Sequence, residues 1–404
     1  MEASDAAAEP PFSVILREWG RIGCVGFGGP PAHVALFREL CVERRKWLSE
    51  GQFERAIAAT NLLPGPASTQ LAIYCAWRLR GPRGALLGGL SFILPGLILM
   101  IALSALFLSH SPPLWLRGAG MGAGAGVAAV AVRAGLGLAA PMWRRAGSGR
   151  RRWLLAYGLA GGAAAALAGA WLVLVLLACG AVELGRRGLA GLHAWAPAVL
   201  GIARGAAEKL NRPGPGWPLL AAGADPGGTG GLVWTAFKVG ALAFGGGFVI
   251  VPLMESDAVN TYHWMTHGQF LNAVALGQVT PGPITQTVAA VGYAEGGFPG
   301  AVLAAVVAFA PSFSFILIGA ARFERLLVNE RVLAFLAGAA PAAAGAIIGA
   351  AVPLTMAISE TWQYAVLGAS AIALLLLRRA IVPTLILAGC VGVGAALLGA
   401  PVPQ

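Results

Sequence analysis

Five stretches of the chain run for about twenty residues or more without a charged side chain: Ala85–Leu108, Trp153–Cys179, Ala301–Ala321, Val332–Ile358 and Ile381–Ala400. Roughly 20 apolar residues of helix cross a bilayer. Only 11% of all residues are charged, against about 25% in soluble domains, because most side chains must meet lipid or another helix. The 58 glycines suit helices that approach closely in lipid. The chain is therefore expected to be an all-α integral membrane protein of the cell (inner) membrane. Met1–Pro11 is acidic and lacks the basic flank of a secretory signal, so the spans themselves are expected to direct insertion. The net charge of +11 is assigned to cytoplasmic loops rather than to a nucleic-acid surface.

The chain repeats itself. Phe27-Gly28-Gly29 recurs as Phe244-Gly245-Gly246, 217 residues on. At the same offset Gly23 matches Gly240, Trp47 matches Trp264, Gln52-Phe53 matches Gln269-Phe270, and Pro64-Gly65-Pro66 matches Pro281-Gly282-Pro283. Gly81, Gly84 and Pro95 match Gly297, Gly300 and Pro311 at 216, one residue having been lost. Conserved order at nearly constant spacing points to duplication.

The copies differ in charge. Arg38, Arg44, Arg45, Lys46 and Arg55 in copy one face a counterpart, Glu255–Asn272, with Glu255 and Asp257 and no Lys or Arg. Arg78, Arg80 and Arg83 correspond to a loop holding only Glu295. The sign then reverses: Ser109–Pro113 is uncharged where copy two has Arg322, Arg325 and Arg331. Basic loops stay in the cytoplasm, so equivalent loops are expected on opposite sides. That makes two inverted-topology repeats, a common transporter plan. Phe53–Trp77 has basic flanks at both ends and a PGP break in the middle, which predicts a re-entrant hairpin of two half-helices. Each repeat is expected to hold about five transmembrane helices besides its hairpin: near 12–30, 85–108, 114–140, 153–168 and 170–185, then 231–254, 300–321, 332–357, 361–377 and 380–400. The domains follow as 12–202, a cytoplasmic linker 203–230, and 231–400, with Gly188–Ala203 along the membrane surface.

Phe27-Gly28-Gly29-Pro30 with His33, Trp47, Pro64-Gly65-Pro66, Gln70, Gly81 and Leu94-Pro95-Gly96 resemble the chromate ion transporter family. The resemblance runs through both copies, from about Val14 to Ala400, as in the long bidomain form. Copy two departs from it with Gly247 for Pro30 and Ile250 for His33. The resemblance implies chromate efflux and chromate resistance; spacing and composition show neither substrate nor direction. A sulfate or other oxyanion carrier, and an anion channel, remain alternatives. No GxxxxGK[ST] motor motif occurs and no enzymatic constellation stands out. The five cysteines are scattered without a CxxC, which suggests neither disulfides nor zinc. No cofactor or metal is expected. The partners are an oxyanion, the bilayer and, in a homodimer, a second copy.

A half-helix that starts after a proline presents unpaired N–H groups and the positive end of its dipole, where anions bind. Ser68, Thr69 and Gln70 follow Pro66; Thr285 and Gln286 follow Pro283. These side chains can donate to a tetrahedral oxyanion or simply cap their helices. Arg21 and Lys238 align within predicted spans, where a cation costs about 2.5–3.5 kcal/mol and is expected to face a dianion. Lys238 has no charged neighbour within ten residues on either side, which predicts a partnerless cation and a Lys238→Gln variant that inserts at least as well. The Phe27-Gly28-Gly29 and Phe244-Gly245-Gly246 runs are expected to be backbone breaks that let helices approach the substrate closely. Asn61 and Gln278 align as further polar ligands. Glu18 and Glu54 are the carboxylates nearest copy one's site. His263 and His267 are spaced i, i+4 with no evident carboxylate partner, a weak metal signal.

Overall fold

The computed structural model describes residues 9–63, 65–109, 112–167, 172–188, 228–243, 249–320 and 329–402. The surface segment expected at 188–203 and nearly all of the linker lie outside them, as do Pro64 and Phe244-Gly245-Gly246. The described residues are helical, without strands. Copy one holds α1 (Phe12–Val25), α2 (Pro30–Arg38) continued by a π turn (Glu39–Arg44), α3 (Glu50–Leu62), α4 (Ala67–Phe107), α5 (Leu114–Arg145), α6 (Ser148–Leu167) and α7 (Leu172–Arg186). Copy two holds α8 (Thr229–Leu242), α9 (Ile250–Glu255) continued by a π turn (Ser256–Thr261), α10 (His267–Val279), a 3₁₀ turn (Ile284–Thr287), α11 (Val288–Gly319), α12 (Glu330–Gly349), α13 (Ala351–Met356), α14 (Thr361–Ala371) with a π turn (Ile372–Leu376), and α15 (Ile381–Leu397).

The sequence repeat is a backbone repeat. α1 and α8, the two leading π turns, and α3 and α10 begin and end at the same offset of 217. Lys46 and His263, equivalent residues closing the π turns, both take positive φ, 52° and 56°. α3 and α10 start with matched capping boxes, Ser49 with Gln52 and Thr266 with Gln269. Each box satisfies two N–H groups that the first turn would leave unpaired.

α4 and α11 each contain a sharp reversal. Arg80 and Gly81 sit at φ/ψ −143°/23° and 61°/−153°, Gly296 and Gly297 at −134°/25° and 58°/−147°. The positive φ is open to glycine and strained for other residues. Beyond the kink the chain folds back. A Cβ on Gly88 would stand 2.5 Å from Ala76 Cβ, and one on Gly292 would stand 2.7 Å from Ala304 Cβ. Twelve residues of straight helix would separate such pairs by about 18 Å. The residues before each kink therefore form a short helix lying against the long apolar helix after it.

Several expected spans are corrected. The span at 12–30 is broken: α1 ends at Val25, and Gly28 and Gly29 take φ of 97° and 75° before α2 starts. The span at 231–254 likewise stops at Leu242 and resumes at Ile250. The loop expected after copy one's first span is helical, as α2 and its π turn. The span at 114–140 runs on to Arg145. The division expected at Gly169 lies outside the described residues, between the end of α6 at Leu167 and the start of α7 at Leu172. Among the described residues four helical segments are long and apolar enough to cross a bilayer: Ala67–Phe107, Leu114–Arg145, Ile284–Gly319 and Glu330–Met356.

The copies interlock. α4 packs on α11 between them; α5 of copy one packs on α14 and α15 of copy two, while α12 of copy two packs on α6 and α7 of copy one. The contacts are backbone to backbone. A Cβ on Gly122 would overlap the Ala388 carbonyl, one on Gly161 that of Ala342, and one on Gly345 that of Gly158. Small residues permit this approach, and close packing is what holds helices together in lipid.

Candidate functional site

The two PGP breaks lie at the crossing of α4 and α11, each against the other copy. A Cβ on Gly65 (φ 121°) would stand 3.2 Å from Ser312 Oγ and 3.3 Å from the Gly240 carbonyl oxygen. A Cβ on Gly96, equivalent to Ser312, would overlap the Pro281 carbonyl and stand 2.6 Å from Gln286 Oε1. The Gly282 amide donates to the Gly26 carbonyl at 3.0 Å, and Gly29 faces Ile284. Gly96 and Ser312 both sit inside the long helices that follow the kinks, so each break lies against the interior of the other copy's long helix.

α4 starts at Ala67 with Pro66 as N-cap and no side-chain cap bond. Ser68, Thr69 and Gln70 are buried there, as are Gly65 and Pro66. In copy two Pro281, Gly282 (φ 92°) and Pro283 are buried, and so are Thr285 and Gln286 on the 3₁₀ turn. Thr69 Oγ1, Thr285 Oγ1, Gln278 Nε2 and Ser312 Oγ are buried with no hydrogen-bond partner among the described residues. An orphaned buried donor costs about 1–3 kcal/mol, so these groups, two in the turns after the breaks, one just before copy two's and one against Gly65, favour a polar occupant.

Other expected ligands are placed differently. Gln286 donates to Thr280 Oγ1 at 2.9 Å and to the Pro281 carbonyl at 2.8 Å, so its amide braces its own break. Gln278 is buried, but the aligned Asn61 is exposed. Phe27 is 42% exposed, Gly28 is also exposed, and only Gly29 of that trio is buried. The Arg21 side chain is half exposed and lies 3.7 Å from Glu18. Glu18 is buried and also accepts from Arg44 at 2.7 Å and Arg45 at 2.8 Å.

Lys238 is not partnerless, which corrects the expectation of an isolated cation. Its Nζ lies 2.5 Å from Asp257 Oδ2, and Thr235 donates to that same oxygen at 2.8 Å. Asp257 is nineteen residues away in sequence, brought over by the π turn. His267 likewise has a carboxylate, Glu255 at 3.2 Å, while His263 Nδ1 lies 2.7 Å from the Val259 carbonyl oxygen. Glu255 lies outside the predicted spans, and burial raises its pKa despite the opposing His267. His33, fully buried, and Ser312 were missed as site residues. A cleft of about 230 Å³ is lined by Ser104, Gln269, Asn272 and Ala290 among others. It carries no charged residue, which leaves the crossed breaks as the candidate site.

The sequence model of the chromate transporter family matches twice, over residues 14–184 and 230–395. The chain belongs to the chromate transporter family. Among curated relatives, the chromate transport protein of Cupriavidus metallidurans is 30% identical over 81% of this chain and 78% of its own length. The chromate transport protein of Pseudomonas aeruginosa is 30% identical over 85% and 82%. A probable chromate transport protein of Synechococcus elongatus is 30% identical over 86% of both. No solved structure matches the chain. This family member is a multi-pass membrane transporter, not an enzyme. The two matched segments coincide with the two copies of the backbone repeat.

Proposed function

We propose that the chain is a secondary carrier of a tetrahedral oxyanion, chromate first, moving it out of the cell and so conferring resistance. Its repeats, 12–202 and 231–400, are inverted in the membrane and joined by a cytoplasmic linker, 203–230. α3 with the first part of α4, and α10 with the 3₁₀ turn and the first part of α11, are re-entrant hairpins whose tips are the PGP breaks. The alternation of basic and acidic segments between the copies supports the inversion.

The observation that carries the site is the set of buried, unpartnered groups around the two breaks: Thr69 and Thr285 in the turns after them, Gln278 just before copy two's break, and Ser312 against Gly65. Helix starts supply positive potential without a side-chain charge, and hydroxyls and an amide supply directed donors. Lys238 and Arg21, both held by carboxylates, contribute long-range field rather than direct ligation. The test is chromate flux into inverted vesicles, competed with sulfate, for the wild type and for Thr69→Val and Thr285→Val. Saturable flux weakened in both variants supports the site; wild-type flux in both, at equal protein level, removes it.

A further inference from the structure

The site described above leaves one buried polar ring unused. His33 on α2 is fully buried and packs edge-on against Phe92, ring centroids 5.0 Å apart. Its Nε2 lies 2.9 Å from the Gly26 carbonyl oxygen. A carbonyl only accepts, so Nε2 carries the hydrogen, and in the neutral ring Nδ1 holds a lone pair. That Nδ1 is buried with no partner among the described residues. The Gly26 oxygen that receives Nε2–H also receives the Gly282 amide. The ring therefore stands within the combined length of two hydrogen bonds of copy two's break. Its helix is capped by Gly29, which faces Ile284 in the turn after that break.

The titratable and charged groups on the elements around the ring are Arg17, Glu18, Arg21 and Cys24 on α1, Arg38 on its own helix, Glu39, Cys41, Glu43 and Arg44 on the π turn, and Tyr74, Cys75, Arg78, Arg80 and Arg83 on α4. Glu18 is committed to Arg44 and Arg45, and Arg38 to Glu50. None hydrogen-bonds to Nδ1 or forms an ion pair with the ring. Copy two's turn, Ile284–Thr287, has no titratable side chain. A dianion at copy two's break would thus bring negative charge to the side of the ring that the Gly26 carbonyl ties to the Gly282 amide. Negative charge close to a buried imidazole favours its protonated form.

We propose that His33 is the proton-binding site of the transport cycle: a proton from solvent joins Nδ1 as the oxyanion binds at the breaks, and the two occupy the transporter together. The proposal rests on the oxyanion site above and names what is carried with the anion: together they move one net negative charge, so the inside-negative membrane potential, rather than the proton gradient, drives export. Copy two has Ile250 at the equivalent position, so the stoichiometry is one site per chain rather than one per repeat.

The test is calorimetric titration of the purified full-length protein with chromate, at a pH where chromate is wholly the dianion. Two buffers of different ionisation enthalpy count the protons taken up per anion bound. The expected count is about one for the wild type and near zero for His33→Gln, whose affinity should also lose its rise toward lower pH. A wild-type count of zero, or an unchanged count in His33→Gln, overturns the proposal. His33→Asn, which also keeps an amide donor, repeats the comparison if the glutamine variant fails to fold, and the wild-type count is informative alone. Failure of the wild type to bind chromate is a separate result: it removes the oxyanion site itself.

Discussion

The two copies share a backbone and rewire its charges. Arg38 pairs with Glu50 in copy one; the equivalent positions in copy two hold Glu255 and His267, the same contact with its polarity reversed. Glu18 in copy one is buried under Arg44 and Arg45. At its equivalent copy two has Thr235, which bonds an aspartate, Asp257, standing where copy one has Leu40. The PGP breaks, the kink glycines and the capping boxes are kept in both copies, and the ion pairs that tie α2 and α9 to their neighbours are not. Backbone geometry depends on φ/ψ and caps, which do not distinguish the two faces of a membrane. Charge does distinguish them, so the inversion proposed above would require one copy to change its ion pairs while keeping its turns.

The largest effect expected from breaking this comparison is at the breaks. Replacing Pro281-Gly282-Pro283 by three alanines lets α10 continue and pairs the N–H groups at the tip. Chromate flux should fall to background with the protein still inserted. The same change at Pro64-Gly65-Pro66 should do likewise, and survival of flux in either would show that one copy suffices.

Next come the cations, where the copies should diverge. Lys238→Gln strands Asp257 as a buried charge, and breaking one partner of a buried pair costs about 3–5 kcal/mol. Yield and thermal stability in detergent should drop sharply. Arg21→Gln should do little, because Glu18 keeps Arg44 and Arg45. Lys238→Gln together with Asp257→Asn should recover most of the loss. Equal behaviour of the two single variants would contradict the rewiring.

A smaller effect is expected at the hydroxyls. Thr69→Val or Thr285→Val removes one hydrogen bond to a charged ligand, about 1.5–3 kcal/mol, or roughly 10- to 150-fold in affinity. Direct binding measurements on both variants would show whether the copies contribute equally.

The smallest is a pH effect confined to copy two. Because the Glu255 pKa is raised in the folded protein, its favourable contribution is complete below the ordinary carboxylate value. It is lost as pH rises through the raised value. Glu255→Gln should flatten the pH dependence of thermal stability across that window. Arg38→Gln in copy one should leave it unchanged.

The repeat was legible in the sequence because its landmarks are residues with unusual backbone freedom. Gly81 and Gly297, or the two PGP breaks, resist replacement wherever φ is positive or a helix must stop. The crossing of the breaks was not legible. Ser312 aligns with Gly96, and neither belongs to a motif that would single it out. Lys238 looked isolated because only sequence neighbours were visible; its partner arrives through a π turn that places Asp257 against α8. His33 stood in the motif beside Pro30, but nothing in that motif shows that its Nε2 would be tied to a carbonyl shared with the other copy. The single span expected at 12–30 failed for a related reason: hydropathy continues across Gly26–Gly29 while the backbone does not.

The account rests most heavily on opposite orientation of equivalent segments. Glu43 and Asn260 are equivalent residues of the two π turns, and both are exposed. In a background with the native cysteines replaced, Glu43→Cys and Asn260→Cys should be labelled by an impermeant thiol reagent from opposite sides of the membrane, Glu43→Cys from the cytoplasm. Labelling of both from the same side would contradict the inverted pair and, with it, a site formed by breaks entering from the two faces.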